Sequence, residues 1–335
     1  MQFHLWQHLS MANIPGFDAE LDNKIARGLE EVETLLATHI EGDYPLVVET
    51  SRHLVEAGGK RFRPLITLLA AQFGEGINRE VIEAAVVCEL THVATLYHDD
   101  VMDEAPLRRG VESANNRWGN SVAILTGDYL FSKASDLLAD LGPEAVRLQA
   151  KTFERLVIGQ IQETQGAKGG DPLAHYLQVV ADKTGSLIAT SARFGAILSK
   201  APKDVIETLT TFGEKLGVVF QLADDVIDIA SDSSQSGKTP GTDLREGVPT
   251  LVTLQVMKSN RIEDEKLKDL LSRPLSDSEA SEMIKTLRAH SALKEAREQL
   301  HAMARQARAL LAPLPDNAAR RAFESLCDAV VERTA

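Results

Sequence analysis

The spacing of its prolines most constrains what this chain can fold into. Twelve prolines stand at 15, 45, 64, 106, 143, 172, 202, 240, 249, 274, 313 and 315, leaving long intervals between them. Proline lacks a backbone donor and clashes with the preceding turn, so helices begin on it or end near it. Within the free intervals apolar residues recur at helical spacing. "LITLLAAQF" follows Pro64; past the break "GEGINRE" comes "VIEAAVVCELTHVATLYH", which Pro106 is expected to close. Further helices are expected near 118–140, 143–165, 173–198, 202–231, 249–259, 278–289, 291–312 and 316–333. Strand signals are almost absent. Aromatics are 5% of a chain that is 44% hydrophobic, so the core must be built of Leu, Ala, Val and Ile, which suits packed helices. The expected fold class is all-α.

Two stretches read as loops: "GAKGGDP" at 166–172 and "SDSSQSGKTPGTDLREGVP" at 231–249, the second long enough to suggest function as well as connection. No Pro/Ser/Gly-rich linker divides two cores, so residues 1–335 are expected to form a single domain with 1–24 as a peripheral N-terminal extension. The formal net charge of -13 argues against broad nucleic-acid binding, which needs a basic surface to displace counterions from phosphates. Cys88 and Cys327 lack metal-ligand spacing and read as buried thiols in a reducing cytoplasm. No Lys or Arg precedes Lys24, so the N-terminus is not expected to be a signal peptide, and no apolar run reaches the ~18 residues of a bilayer span. The expected location is cytoplasmic.

One theme recurs: "DDVMD" at 99–103 returns as "DDVID" at 224–228. Residues i and i+4 share a helix face, which puts Asp99 with Asp103 and Asp224 with Asp228, while Asp100 and Asp225 are turned about 100° away. Each cluster follows an apolar run, so its carboxylates sit where unpaired charge is costly; two charges ~4 Å apart repel by about 4 kcal/mol at an effective dielectric near 20. Cations should therefore be present. Oxygen-only ligands select hard ions, and sparse carboxylates suit Mg2+, which completes its shell with waters and phosphate oxygens. A solvated acidic helix face is the plain alternative for one such cluster. It is hard to sustain for two in register on apolar helices.

The cations sharpen this. "GGKRFRP" at 58–64 puts Lys60, Arg61 and Arg63 just ahead of a helix starting near Pro64, where backbone N–H groups also favour anions. Arg108 and Arg109 follow the first acidic cluster; Lys183 with Thr184 in "DKTGSL", and Lys238 in the long loop, add further donors. Each alone could be a solvated basic patch. Around two metal-type clusters they suggest two phosphate-bearing substrates.

With "GGKRFRP", "LYHDDVMDEAPLRRG", "DKTGSL", "FQLADDVIDI" and "GKTPGTDLREG" in this order and spacing, the chain resembles a trans-type isoprenyl diphosphate synthase from about residue 25 to its C-terminus. The wording of "ATLYHDDVMDEAPLRRG" and "GTDLREGVPTL" is similar to the actinobacterial long-chain polyprenyl diphosphate synthases that make menaquinone side chains. This resemblance implies antiparallel helices around a deep central cavity, usually in a homodimer. It implies that Asp99, Asp103 and Asp224 hold three Mg2+ ions on an allylic diphosphate, with Asp100, Asp225 and Asp228 in support. Arg108, Lys183, Gln221 and Lys238 would contact that diphosphate; Lys60, Arg63, His92 and Arg109 would hold isopentenyl diphosphate. Thr184 and Gln221 would orient substrate or support a cation by their dipoles. A lone His on an apolar helix is ordinarily a core residue, but His92 lies two turns before Asp99.

The implied chemistry agrees with the residue inventory. Positive groups stabilise charge building on the leaving diphosphate, the allylic C–O bond ionises, the isopentenyl double bond attacks, and a proton leaves to complete one five-carbon addition. No nucleophilic triad is needed. The family often has Lys where this chain has Val248 and Pro where it has Val252, which makes altered tuning the expectation, since Lys238 and Asp243 are present.

Residues about one helical turn, ~5.4 Å, below Asp99 should form the cavity floor. These are Ala94 and Thr95, where the resembling family uses an aromatic to stop the chain at about fifteen or twenty carbons. Neither is bulky, so a product of about thirty to fifty carbons is expected, released through transient contact with a membrane surface. A shorter product is the alternative on length. A terpene cyclase would normally keep only the first DDxxD and line its pocket with aromatics. A phosphohydrolase built on "HDD" at 98–100 needs more His ligands than His53, His92, His98 and His175 supply. A catalytically weak subunit of a heteromeric synthase typically loses one acidic cluster, and both are intact here.

Overall fold

Asp18 opens the first helix by accepting a hydrogen bond from the Leu21 N–H, and α1 (Ala19–His39) lays Leu21, Ile25, Leu29, Val32 and Leu36 on one buried stripe. The computed structural model describes residues 18–230, 241–273 and 275–333. Next come α2 (Pro45–Glu56), α3 (Phe62–Ala70) and α4 (Arg79–Met102), the last capped by the Asn78 side chain accepting from Val81 N–H. They are followed by α5 (Ala114–Trp118), α6 (Asn120–Leu141), α7 (Pro143–Gln165), α8 (Pro172–Val180), α9 (Ser186–Leu198) and α10 (Lys203–Ala230). Pro45, Pro143 and Pro172 each stand at a first helical position, where the missing N–H costs nothing. Later helices include Thr242–Glu246, Leu251–Lys258, Asp277–Ala289, Ser291–Ala309 and Ala318–Glu332. The molecule is all-α.

The chain forms two compact units. One comprises the described residues up to Phe153 with Leu187–Gly213 and Pro313–Ser325; the other comprises Glu154–Ser186, Glu214–Ala312 and the chain from Leu326. In the first unit α4 is apolar on every side and is covered by α1, α3 and α6, which is why its residues from Val81 to Thr91 are all buried. Phe212 and Phe323 meet edge to face with centroids 5.0 Å apart, and Phe73 stacks on Phe323 at 6.2 Å. In the second unit the helices Leu251–Lys258 and Asp277–Ala289 pack against Ser291–Ala309, burying Leu251, Val256, Leu287 and Leu300.

Three expectations are corrected. α4 stops at Met102, well before Pro106, because Glu104 adopts a positive φ of 50° and Ala105 is barred from helix by the proline after it. The chain then makes a hairpin: β1 (Leu107–Arg108) pairs antiparallel with β2 (Val111–Glu112), Leu107 opposite Glu112. Its turn residues, Arg109 at φ 54° and Gly110 at φ 78°, both have the positive φ of a type I′ turn, which glycine alone adopts without strain. The helix expected over 173–198 is interrupted by a π-helical turn at Ala181–Gly185. Of the long loop expected over 231–249, residues 231–240 lie outside the described residues and Thr242–Glu246 is helical. No described helix is long and apolar enough to cross a membrane.

Candidate active site

In the first unit the acidic cluster occupies the C-terminal end of α4, where the helix dipole adds to its negative potential. Asp99 is half-buried and Asp103 is exposed at the helix C-cap, its N–H bonded to the Asp99 carbonyl at 2.8 Å. Asp100 behaves differently. Its side chain is 0% exposed, and Oδ1 accepts from Arg108 Nε at 2.6 Å while Oδ2 is buried without a hydrogen bond. Burial raises the Asp100 pKa, opposed by Arg108. Asp100, expected beside the metal carboxylates, is thus turned inward to hold the arginine of β1.

The cations gather against the same helix. Arg61 precedes α3 in the left-handed conformation and is buried: its guanidinium reaches Glu33, the Val55 carbonyl at 3.0 Å and Glu89 Oε1 at 3.0 Å. Burial disfavours its charge, but Glu89 and Glu33 more than offset this and raise its pKa. Arg61, grouped with the phosphate donors from sequence, is therefore a structural cation. Arg63 lies within the first turn of α3, not ahead of it, and its Nε is buried with no hydrogen-bond partner. Arg109 donates to the Leu54 carbonyl at 2.5 Å and stands 3.9 Å from Glu89. Burial, reinforced by Arg61, Arg63 and Arg108 against the pull of Glu89, pushes its pKa down to about 10. A Cβ on Gly59 would lie 3.0 Å from both Arg61 Nη1 and Arg109 Nη2, so glycine lets the two guanidinium groups close over the loop. His92 is held well below its ordinary pKa by burial, then by Arg63, Arg109, Arg108 and Arg61; it is a neutral imidazole beside an arginine cluster. Lys60 is exposed at the edge.

This is a positive cluster with too little negative charge of its own. Glu89, 2% exposed, is the buried carboxylate between Arg61 and Arg109. Sequence reasoning missed it and Glu33; for Glu89 the available signal was an acidic residue inside an otherwise apolar helix stretch. Such crowding of desolvated guanidinium groups is relieved by an anion with several oxygens.

In the second unit α10 carries the other acidic cluster. Asp224 Oδ1 accepts from Arg333 Nη2 at 2.7 Å. Asp225 is buried, accepting from the Tyr176 hydroxyl and from Gln221 Nε2 at 2.9 Å; burial raises its pKa to about 6. Asp228 holds the following segment, accepting from the Gly241 N–H at 3.1 Å and the Asp243 N–H at 3.4 Å. The π-helical turn presents Lys183, paired with Glu163 at 2.7 Å, and Thr184, which donates to Gln221 Oε1 at 3.1 Å. Such turns recur at functional sites because the extra residue re-aims side chains. Val252 is fully buried, so its place is in packing, whereas Val248 N–H caps the Asp243 carbonyl at 2.8 Å. Lys238 lies outside the described residues.

Among the described residues no three His, Cys, Asp or Glu side chains close on one point as a metal cage. The donor set that is present, half-buried Asp99 and exposed Asp103 on a helix C-terminus, fits a hard ion that takes few carboxylates and completes its shell with phosphate oxygens. Ala94 is fully buried and Thr95 is 9% exposed, its hydroxyl bonded back to the His92 carbonyl at 2.8 Å. A separate cavity of about 500 Å³ beside α2, lined by residues including Arg52, His53, Arg117 and Trp118, contains none of these groups.

Residues 44–289 match the Polyprenyl synthetase family. The chain belongs to the polyprenyl synthetase family. It is 46% identical over 319 residues to a nonaprenyl diphosphate synthase of Mycobacterium tuberculosis, covering 94% of this chain and 95% of that protein. A dimethylallyltranstransferase of the same organism is 40% identical over 316 residues, with the same coverage. Among solved structures, a geranylgeranyl pyrophosphate synthase of Corynebacterium glutamicum, complexed with calcium and isoprenyl diphosphate, superimposes with a TM-score of 0.85 at 42% identity over 95% of this chain and 99% of that one. A decaprenyl diphosphate synthase of Rhodobacter capsulatus gives a TM-score of 0.85 at 31% identity, covering 94% and 99%. The polyprenyl synthetase family thus accounts for the isoprenoid synthase fold across nearly the whole chain.

Proposed function

We propose that this polyprenyl synthetase extends an allylic diphosphate by successive trans 1'-4 condensations with isopentenyl diphosphate, releasing diphosphate at each step. One observation carries the reading: the Arg108–Asp100 bond ties the acidic end of α4 to the arginine cluster around His92, joining metal-type carboxylates and an anion site within one unit. Lys60, Arg63, His92 and Arg109 hold the diphosphate of isopentenyl diphosphate. His92, being neutral, orients that diphosphate by hydrogen bonding and adds no charge. Arg108, Lys183, Gln221 and Lys238 receive the allylic diphosphate. Asp99, Asp103 and Asp224 are the carboxylates that hold Mg2+, with Asp228 in support. Asp100 and Asp225 serve the same clusters from behind, through Arg108 and Gln221.

Bound Mg2+ supplies neutralisation of the charge growing on the leaving diphosphate. The protein's own part is positional. Arg108, already held in place by Asp100, is a preorganised donor to the allylic diphosphate, so little reorganisation accompanies C–O cleavage. Lys183 exchanges its Glu163 partner for diphosphate, and Thr184 with Gln221 turns dipoles to the cation. The departed diphosphate takes the proton lost on condensation.

The small side chains of Ala94 and Thr95 leave the floor under Asp99 unblocked, which supports a product of about thirty to fifty carbons, one turn of ~5.4 Å being the depth they control. Such a chain suits a quinone side chain, menaquinone in an actinobacterial setting. Exposed Ile124 and Leu125 on α6 suit a homodimer contact, and the chain is expected to work in the cytoplasm with passing membrane contact at product release. The test is direct. Pure protein, Mg2+, labelled isopentenyl diphosphate and primers of ten, fifteen and twenty carbons should give long prenyl diphosphates on extraction; primers returned unextended would contradict the proposal.

A further inference from the structure

The roles above use Thr184 and Gln221 and leave a buried tyrosine beside them unexplained. Tyr176 on α8 is buried, and its hydroxyl donates to Asp225 Oδ2. A carboxylate can only accept, so the Gln221 group 2.9 Å from Asp225 Oδ1 must be its NH2. That choice fixes the amide: its oxygen faces the other way and accepts the Thr184 hydroxyl at 3.1 Å. Tyr176, Asp225, Gln221 and Thr184 therefore form one directed chain, all within the second unit. At its end the Thr184 O–H points at Gln221, so its oxygen has only lone pairs for any other neighbour. An oxygen presenting lone pairs is the dipole a developing carbocation requires, and a chain of such bonds polarises cooperatively.

We propose that Tyr176 is a positioning residue for allylic ionisation, acting through Asp225 and Gln221 to keep the Thr184 O–H turned onto Gln221 and its lone pairs free; the role rests on the prenyltransferase reading. A tyrosine kept for packing alone could be phenylalanine. Only the hydroxyl reaches Asp225, and without it a buried carboxylate loses a donor and is free to rotate away from Gln221.

The test compares full-length wild type with Tyr176→Phe, Gln221→Leu, the double variant and Asp225→Asn, each substrate being varied in turn. Tyr176→Phe should lower kcat about tenfold with isopentenyl diphosphate KM within about twofold, and the double variant should be no slower than Gln221→Leu alone, since residues acting as a unit are non-additive. Asp225→Asn, which lets the Gln221 amide turn over, should slow kcat by a similar factor and decides the matter if Tyr176→Phe folds poorly. Wild-type kcat in Tyr176→Phe, or losses that multiply in the double variant, would overturn the role while leaving prenyl transfer standing. A wild-type protein that elongates no primer overturns the activity and this role together.

Discussion

Arg109 concentrates the tension of the anion site at a single residue: a left-handed backbone, a largely desolvated guanidinium and three like-charged neighbours, with Glu89 as its nearby counter-charge. Non-glycine residues held this way cost about 1–3 kcal/mol and persist where function over-determines them. Replacing it with lysine keeps the charge and loses the planar fork. Arg109→Lys should raise the isopentenyl diphosphate KM about tenfold, equivalent to ~1.4 kcal/mol, with kcat nearly unchanged; steady-state kinetics reporting an unchanged KM would remove Arg109 from that subsite. His92 makes a second prediction. Its folded pKa is depressed, first by burial and then by the arginines, so the unfolded chain binds the proton more readily. Stability therefore declines as pH falls through the unfolded value of about 6.5. Melting curves between about pH 7 and 5 should show His92→Gln losing less stability than wild type; equal losses would contradict the neutral imidazole. The residue types of the site were legible from sequence because their order is so specific. Which carboxylates turn inward was not: the helical repeat separates Asp100 from Asp99, but Arg108 and the turn at Arg109–Gly110 decide where Asp100 is held.

At the scale of elements, α4 does two jobs. Its apolar length fixes it inside the first unit, and its C-terminal end carries half-buried Asp99 and exposed Asp103. The helical period made the first job readable, whereas the hairpin after it was invisible because strands of two residues are too short to show alternation. The π-helical turn escaped for a related reason: one inserted residue shifts the helical phase without changing composition. The floor argument belongs to α4 as well. Ala94→Phe puts a ring one turn below Asp99, and extracted products should become shorter by at least one five-carbon unit. Because Ala94 has no exposed surface, the ring should also cost about 1–3 kcal/mol by overpacking. Products of unchanged length would remove Ala94 from the floor.

At the scale of the whole molecule, 335 residues carry a net charge of -13, yet Arg61, Arg63, Arg108 and Arg109 all bear on His92, so the local balance of charge there opposes the overall one. Leu125 is 65% exposed and Ile124 is 41% exposed on α6, where the homodimer proposed for this chain would cover them. Sedimentation should find a dimer for the wild type and a shift toward monomer for Leu125→Asp; a monomeric wild type would contradict that use. The proposed chemistry requires that the carboxylates of the first DDxxD motif hold the ion that binds an allylic diphosphate. Diffraction from crystals grown with Mn2+ and an unreactive allylic diphosphate analogue tests this most directly, through the anomalous signal of the ion. Mn2+ should bond Asp99 and Asp103 and share an oxygen of the diphosphate. An ion bound away from Asp99 and Asp103, or a diphosphate that touches no ion, would contradict it.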